Sequence, residues 1–435
     1  MIFHLFQYLD GQFDIIGSRL IQYSTFRAAI AFILSFIIAT LIGKRIINRL
    51  YKRQITDQVR DLGLPGEHSK KSTPSMGGII MIISILIPIL LFARLDNVYI
   101  WLIIFSIVLM GGIGFIDDYI KVFKKDKDGI KGRYKIVAQV ILGIVVGTVL
   151  YSHDDVRVKD FEKVYYYEID QNGKIDWSLP YKSVPYKKDM PVETVENGYY
   201  LSHDIKSFKT NLPFLKDNLL DYSLLLKPFT KNYSKWGWLV FIVVVTFIVT
   251  AVSNAANLTD GIDGLAAGVS SISMLTLGVF AFVSGNIILA DYLDILYIPA
   301  SGEILIACTA IVGACVGFLW YNAHPASVFM GDTGSLMLGG VIATIAIMVR
   351  KELLIPLICG IFVAENFSVV LQTSVFKYRL KRYGREYAEK NRVFKMTPIH
   401  HHYQKLGYPE QKIVIRFWIV SIMLAALAII TLKIR

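Results

Sequence analysis

Long apolar runs constrain this chain before anything else does. A helix needs about 20 apolar residues to cross the hydrocarbon of a bilayer. Stretches near that length recur at 24–43, 76–93, 98–116, 133–151, 236–256, 264–284, 302–320, 335–350, 353–376 and 412–432. Inside hydrocarbon every backbone N–H and C=O must be satisfied within the protein, so such runs fold as helices. The expected fold class is an all-α integral membrane protein with about ten transmembrane helices. Composition supports this: 54% of residues are apolar and 18% charged, against roughly 25% charged in soluble domains. The start, MIFHLFQYLDGQFD, lacks the basic lead and small-residue cleavage site of a secretory leader, and reads as an interfacial segment before the first span.

The net charge of +12 fits two readings, the basic bias of cytoplasmic loops and an anionic substrate. Its distribution serves both. Lys44, Arg45, Arg49, Lys52, Arg53, Arg60, Lys70 and Lys71 follow the first span, Lys121 to Lys135 the third, and Lys377 to Lys395 the ninth. With ten spans these loops share one side, the cytoplasmic one, and both termini lie outside. The chain divides into residues 1–151 with helices one to four, an extracytoplasmic insertion at 152–235, and residues 236–435 with helices five to ten. In the insertion acidic and basic residues nearly balance, and VYYYEIDQNGKIDW sets Asn172-Gly173 between β-formers, the pattern of a hairpin. A small β-containing subdomain is expected there. Cys308, Cys315 and Cys359 sit in apolar runs without metal-ligand spacing and read as packing residues.

The polar clusters gather at the cytoplasmic ends of the spans, where acidic residues are costly and functional by default. Asp117, Asp118 and Lys121 follow GGIGFI; on one helix they share a side. Two carboxylates there hold a hard cation or take a proton, and the lysine suits a phosphate; the bland alternative is a polar helix end. Residues 254–263, NAANLTDGID, contain Asn254, Asn257, Asp260 and Asp263. With Gly264 behind them they read as a ligand loop presenting backbone N–H groups to a phosphate, or as a bare turn. In NAHPASVFMGDTGS, Asp332 next to glycine is open to a metal, and Phe329 near Asn322 either fills core or stacks on a planar base. His400, His401 and His402 are consecutive, which a zinc site on a helix does not tolerate; phosphate or base contacts, or a solvated basic loop, remain. Lys70 enters a hydroxyl- and glycine-rich turn, KKSTPSMGG, a weak phosphate signal. Carboxylates, lysines and glycine turns on one membrane face make up the set that phosphoryl transfer requires, with a lipid as acceptor or product.

Taken with their order, KKSTPSMGG, GFIDDYIK, NAANLTDGIDGLA, NAHPASVFMGDTGSL and TPIHHHYQKLG resemble the motifs of the phospho-N-acetylmuramoyl-pentapeptide transferases. These belong to the polyprenyl-phosphate N-acetylhexosamine-1-phosphate transferase superfamily. The resemblance covers nearly all of the membrane portion, and the triple histidine favours this branch over siblings with other sugar nucleotides. It implies transfer of the sugar phosphate from a UDP-N-acetylmuramoyl-pentapeptide donor to undecaprenyl phosphate in the bacterial inner membrane, with Mg2+ and commonly as a homodimer. By motif, Asp332 is the implied magnesium ligand, and Asp117, with Asp118 beside it, activates the lipid phosphate. Lys70, Lys121, Asn257, Asp260, Asp263, Asn322, Phe329, Gln372, His400, His401 and His402 are the implied substrate contacts. The long insertion and the stretch KRYGREYAEKNRVFK depart from the common pattern without removing a motif. A transporter, the competing class, places polar residues at the bilayer midplane in paired broken helices. Here Glu365 and Asn366 are the main mid-span polar pair.

Overall fold

The apolar runs fold as helices, and small residues set how closely these pack. The computed structural model describes residues 1–13, 18–52, 73–126, 128–159, 219–293 and 295–433, with short pieces between 163 and 211. A terminal helix α1 (Ile2–Phe13) precedes α2 (Ser24–Lys52), α3 (Gly78–Phe92), α4 (Val98–Phe123) and α5 (Gly132–Ser152). After the insertion come α6 (Tyr233–Thr259), α7 (Leu265–Ser284), the short α8 (Ile287–Leu293), α9 (Gly302–Asn322) and α10 (Gly331–Met348). The chain ends with α11 (Ile355–Ile358), α12 (Gly360–Tyr383), α13 (Arg385–Lys390), α14 (Ile399–Lys405) and α15 (Glu410–Ile430). Among the described residues eight helices are long and apolar enough to cross a membrane, or nine if the bent pair containing α11 and α12 is one span. The run expected at 76–93 is the 15-residue α3, which has Pro88 inside it.

Without a hydrophobic drive between helices in lipid, close backbone approach has to come from small side chains. On α2 the buried positions include Ala28, Ala31, Ser35, Ala39 and Gly43. Opposite them, a Cβ on Gly313 of α9 would stand 2.3 Å from the Phe32 carbonyl, and one on Gly317 would stand 2.6 Å from Ala39 Cβ. Ser35 Oγ, buried between helices, makes hydrogen bonds of 2.6 Å to the Ala310 carbonyl and 2.8 Å to that of Ser84. The same device recurs at the far end. A Cβ on Gly78 would lie 2.3 Å from Gly334 N, and one on Gly114 would lie 2.2 Å from the Asp332 carbonyl. The start of α3, the end of α4 and the start of α10 therefore meet backbone to backbone.

One expected span is not straight. The run 353–376 breaks at Cys359, and the axis turns by 87° between α11 and α12. Helix kinks have local causes, and here a Cβ on Gly360 would stand 2.4 Å from Leu424 Cδ1 of α15. Glycine lets the turn approach that helix without displacing the Leu424 side chain. Glu365 of α12 lies under α14, where His400 Nδ1 stands 3.1 Å from Glu365 Oε1 and both side chains are fully buried.

The insertion is β-structured, as its pattern implies. Strands β2 (Lys163–Glu168), β3 (Lys182–Pro185), β4 (Thr194–Glu196) and β5 (Tyr199–Ser202) form an antiparallel sheet in the order β3-β2-β5-β4. Two-residue strands β1 (Val158–Lys159) and β6 (Asp204–Ile205) pair with each other, as do β7 (Lys209–Asn211) and β8 (Leu219–Asp221). An antiparallel bridge between Ile169 and Ile175 brackets the expected Asn172-Gly173 turn, whose residues lie outside the described ones. The subdomain is bolted to the helices. Lys351 Nζ donates to Asn211 Oδ1 at 2.8 Å, and Tyr222 Oη donates to Glu352 Oε1 at 2.8 Å. Lys159 bridges to Tyr297, Met1 N donates to the Leu90 carbonyl, and Lys433 Nζ reaches the Tyr292 carbonyl. The insertion and both described termini thus share one end of the helical body.

Candidate active site

At the opposite end, α4 runs on past the glycines and delivers its polar residues into the α3–α4–α10 junction. Asp117 and Lys121, one turn apart, pair at 2.6 Å. Lys135, from the first turn of α5, lies 3.0 Å from Asp117 Oδ1, and the Ile130 N–H donates to the same oxygen at 2.7 Å. Both ammoniums also reach Asp332 in the first turn of α10, Lys121 at 3.2 Å and Lys135 in a closer contact. Asn257 Nδ2 completes the ring, donating to Asp332 Oδ1 at 2.9 Å and to Ser335 Oγ at 3.0 Å.

Asp118 faces a different way. Its Oδ1 accepts the Asp332 N–H at 2.9 Å; its Oδ2 accepts the Thr333 N–H at 2.9 Å and the Thr333 hydroxyl at 2.6 Å. The carboxylate thus caps the N-terminus of α10, where orphan N–H groups and the helix dipole favour an anion. Gly331 has φ +71, and a Cβ there would sit 2.5 Å from Asp118 Oδ2. Glycine before Asp332 is required by this cap and by the left-handed turn.

The loop after α6 forms the next wall. Asp260, Asp263 and Phe329 border a cavity of about 220 Å3 together with Asp118, Lys121 and Asp332. Burial, reinforced by the nearby charges of Asp332, Asp118 and Asp263, pushes the Asp260 carboxyl up to about 8. Asp263 is buried; its Oδ2 lies 2.9 Å from His324 Nδ1 and accepts the Ala326 N–H at 3.2 Å, while its own N–H donates to Glu410 Oε1 at 2.7 Å. Asn322 spends its amide on backbone, accepting from Gly264 N at 3.0 Å and donating to the Val328 carbonyl at 2.8 Å. Phe329 is half-buried at the rim. Its own backbone is paired, with the Pro74 carbonyl accepting its N–H and its carbonyl accepting the Gly77 N–H, both at 2.8 Å.

The three histidines diverge, as consecutive helical residues must. His400 is buried on Glu365, and a Cβ on Gly261 would stand 2.3 Å from its Nε2, so the ring backs the 260–264 loop. His401 Nδ1 lies 2.7 Å from Gln404 Oε1, and His402 Nδ1 accepts the Lys395 N–H at 3.0 Å. Gln372 Oε1 accepts the Phe394 N–H at 3.0 Å. His402 and Gln372 hold the chain at 394–395 and His401 pairs within α14; none of the three lines the small cavity. Lys70 lies outside the described residues. Lys135, Glu410 and His324 also belong to the assembly; His324 lies within the NAHPASVFMGDTGS motif, whereas Lys135 is one of several basic residues in its loop and nothing local marks Glu410. Glu365 was visible as a mid-span carboxylate but without its partner.

The donor set suits a hard divalent cation. Asp117, Asp118 and Asp332 each offer a carboxylate oxygen within 4.8 Å of the others, the ligand type that Mg2+ prefers. The position also accepts positive charge, since two ammoniums already stand among the three carboxylates. Asp118 is committed to the N-terminus of α10, whereas Asp332 is held by side-chain ammonium and amide donors that a cation could displace.

The family model described as glycosyl transferase family 4 matches residues 209–350. Phospho-N-acetylmuramoyl-pentapeptide-transferases of Flavobacterium psychrophilum and Parabacteroides distasonis are 53% and 48% identical, with the whole of both chains covered in each comparison. That of Amoebophilus asiaticus is 50% identical, again over the whole of both chains. The first of these alignments spans 435 residues, so the insertion has a counterpart in that relative. At such identity over full length, the chain belongs to the phospho-N-acetylmuramoyl-pentapeptide-transferase family.

Proposed function

We propose that the protein transfers phospho-N-acetylmuramoyl-pentapeptide from its UDP-linked donor to undecaprenyl phosphate. The products are UMP and the first lipid-linked peptidoglycan precursor, and the site faces the cytoplasm. The observation that carries this reading is the ring of Asp117, Lys121, Lys135 and Asp332 at one end of the spans, with the family membership behind it. Phosphoryl transfer calls for positioned charge and little covalent chemistry from the protein.

An oxygen of the lipid phosphate bonds to the sugar-bearing phosphorus of the donor. The bridging P–O bond breaks, and UMP leaves with the bonding pair. Asp117 takes the remaining proton of the lipid phosphate, while Lys121 and Lys135 hold the negative charge of the phosphates in place. Asp332 would hold Mg2+, which would supply charge neutralisation to the pyrophosphate. Asp118 acts through α10, holding Asp332 in register. Phe329 at the cavity rim stacks on the uracil, and Asp260 borders the same cavity.

The test is a product assay. Purified protein is incubated with Mg2+, polyprenyl phosphate and a panel of UDP-sugars, and lipid-linked product and UMP are measured. Turnover with the muramoyl-pentapeptide donor alone supports the proposal. Turnover only with another UDP-sugar would assign the chain to a sibling activity.

A further inference from the structure

At the end of the molecule opposite the carboxylate ring lies a larger cavity of about 810 Å3. Its floor is made of span ends: Arg27 in the first turn of α2, Arg94 and Asp96 in the α3–α4 turn, and Glu303 in the first turn of α9. Its roof is the insertion, through Arg157 and Asp204. Arg27 is 2% exposed and forks onto Glu303, Nη1 to Oε2 at 2.8 Å and Nη2 to Oε1 at 2.6 Å. The Phe92 carbonyl accepts from Arg27 Nη1 at 3.0 Å, and Glu303 Oε2 also accepts the Arg94 N–H at 2.9 Å.

This network leaves two loose ends, one on each wall. Among the described residues, Arg27 Nε is a buried donor without a hydrogen-bond partner, and Asp204 Oδ1 is a buried acceptor without one. The cations nearest the Asp204 carboxylate, Lys159 Nζ at 3.8 Å and Arg157 Nη1 at 3.9 Å, are beyond hydrogen-bond reach. Buried polar groups are ordinarily paired, and exceptions call for an explanation. A ligand offering an anionic oxygen to the floor and an N–H to the roof satisfies both. The lining charges of both signs nearly balance, which argues against a polyanion. The floor sits at the terminal turns of α2, α3, α4 and α9, the depth of lipid headgroups.

We propose that this cleft binds the headgroup of a phospholipid carrying a phosphate and a primary ammonium. The phosphate oxygen accepts from Arg27 Nε, and the ammonium donates to Asp204 Oδ1. A choline headgroup has no N–H to donate, and a glycerol headgroup has no cation, so the chemistry is selective. The site also gives the insertion a role separate from the transfer reaction.

The test uses delipidated full-length protein in detergent, offered equal amounts of phosphatidylethanolamine, phosphatidylcholine and phosphatidylglycerol, with retained lipid read by native mass spectrometry. Retention of the ethanolamine lipid should exceed the others by roughly tenfold, the worth of one charge-assisted hydrogen bond. Asp204→Asn should abolish that preference while melting temperature and transferase activity stay at the wild-type level. Should Asp204→Asn fail to fold, the comparison of the three lipids on the wild-type protein decides alone. Equal retention of the three lipids, or an unchanged preference in a folded Asp204→Asn protein, would overturn the proposal. Soluble phosphoethanolamine binding as tightly as the lipid would also overturn it, by showing that no membrane source is needed.

Discussion

Asp332 and Asp118 stand side by side in the site, and their contacts predict different consequences for the same chemical change. Asp332 faces two ammoniums and one amide, so Asp332→Asn removes the anion that holds cations without leaving a backbone donor unmet. Turnover should fall by about 10²–10³-fold, the usual cost of deleting one preorganised electrostatic group, with little change in melting temperature. Asp118 accepts two backbone N–H groups and a hydroxyl on α10. An amide NH2 in its place would confront a donor with a donor, costing about 1–3 kcal/mol for the orphaned group. Asp118→Asn should therefore lose both melting temperature and turnover. Measuring the two quantities together separates the roles, and a stable, inactive Asp118 variant would remove its capping assignment. Asp260 gives a pH signature. Its carboxyl is raised from 3.8 to about 8, so the folded state binds a proton that the unfolded chain has released. Stability then declines as pH rises from about 4 and levels off once pH passes about 8. Asp260→Asn should flatten that slope in melting temperatures recorded across pH in metal-free buffer; an unaltered slope would assign it to other groups.

The helices follow the apolar pattern closely, because the bilayer criterion depends only on local composition. Each of the motif loops was equally plain, since glycine, asparagine and aspartate at span ends are local facts. The features that escaped are pairings over long sequence separation. The 87° bend at Cys359 brings Gly360 against Leu424 of α15, and His400 of α14 is buried on Glu365 of α12. Lys135 joins the site only because α5 packs beside α4. The insertion shows the same limit. Its balanced charge and absence of motifs predict that chemistry proceeds without it, but Asn211 and Tyr222 are hydrogen-bond partners of the buried Lys351 and Glu352. Breaking one half of such a contact leaves the other unmet. Tyr222→Phe should lower the melting temperature while donor kcat/KM in the folded fraction stays unchanged. Excising the whole insertion should prevent accumulation of folded protein. An excised protein that folds and turns over normally would show the contacts to be incidental.

The whole molecule has two chemically distinct ends. One gathers the carboxylate ring, the 260–264 loop and the basic stretch around α12 and α13; the other carries the insertion and both described termini. Basic residues concentrate on the cytoplasmic side of membrane proteins, so the first end should face the cytoplasm, where a soluble nucleotide donor is made. The chain is suited to a direct test, because Cys308, Cys315 and Cys359 are free and buried and should contribute little background labelling. Val195 on β4 is 64% exposed, and the Glu386 side chain on α13 is 84% exposed, so a cysteine at either site is open to reagent. In spheroplasts, a membrane-impermeant maleimide should label Val195→Cys and spare Glu386→Cys, and permeabilisation should make both reactive. The reverse pattern would invert the protein and separate the carboxylate ring from its donor. Labelling of both positions before permeabilisation would mean that α12 and α13 do not lie across the bilayer from the insertion. The paired positions therefore test the orientation and whether the broken helix completes a crossing.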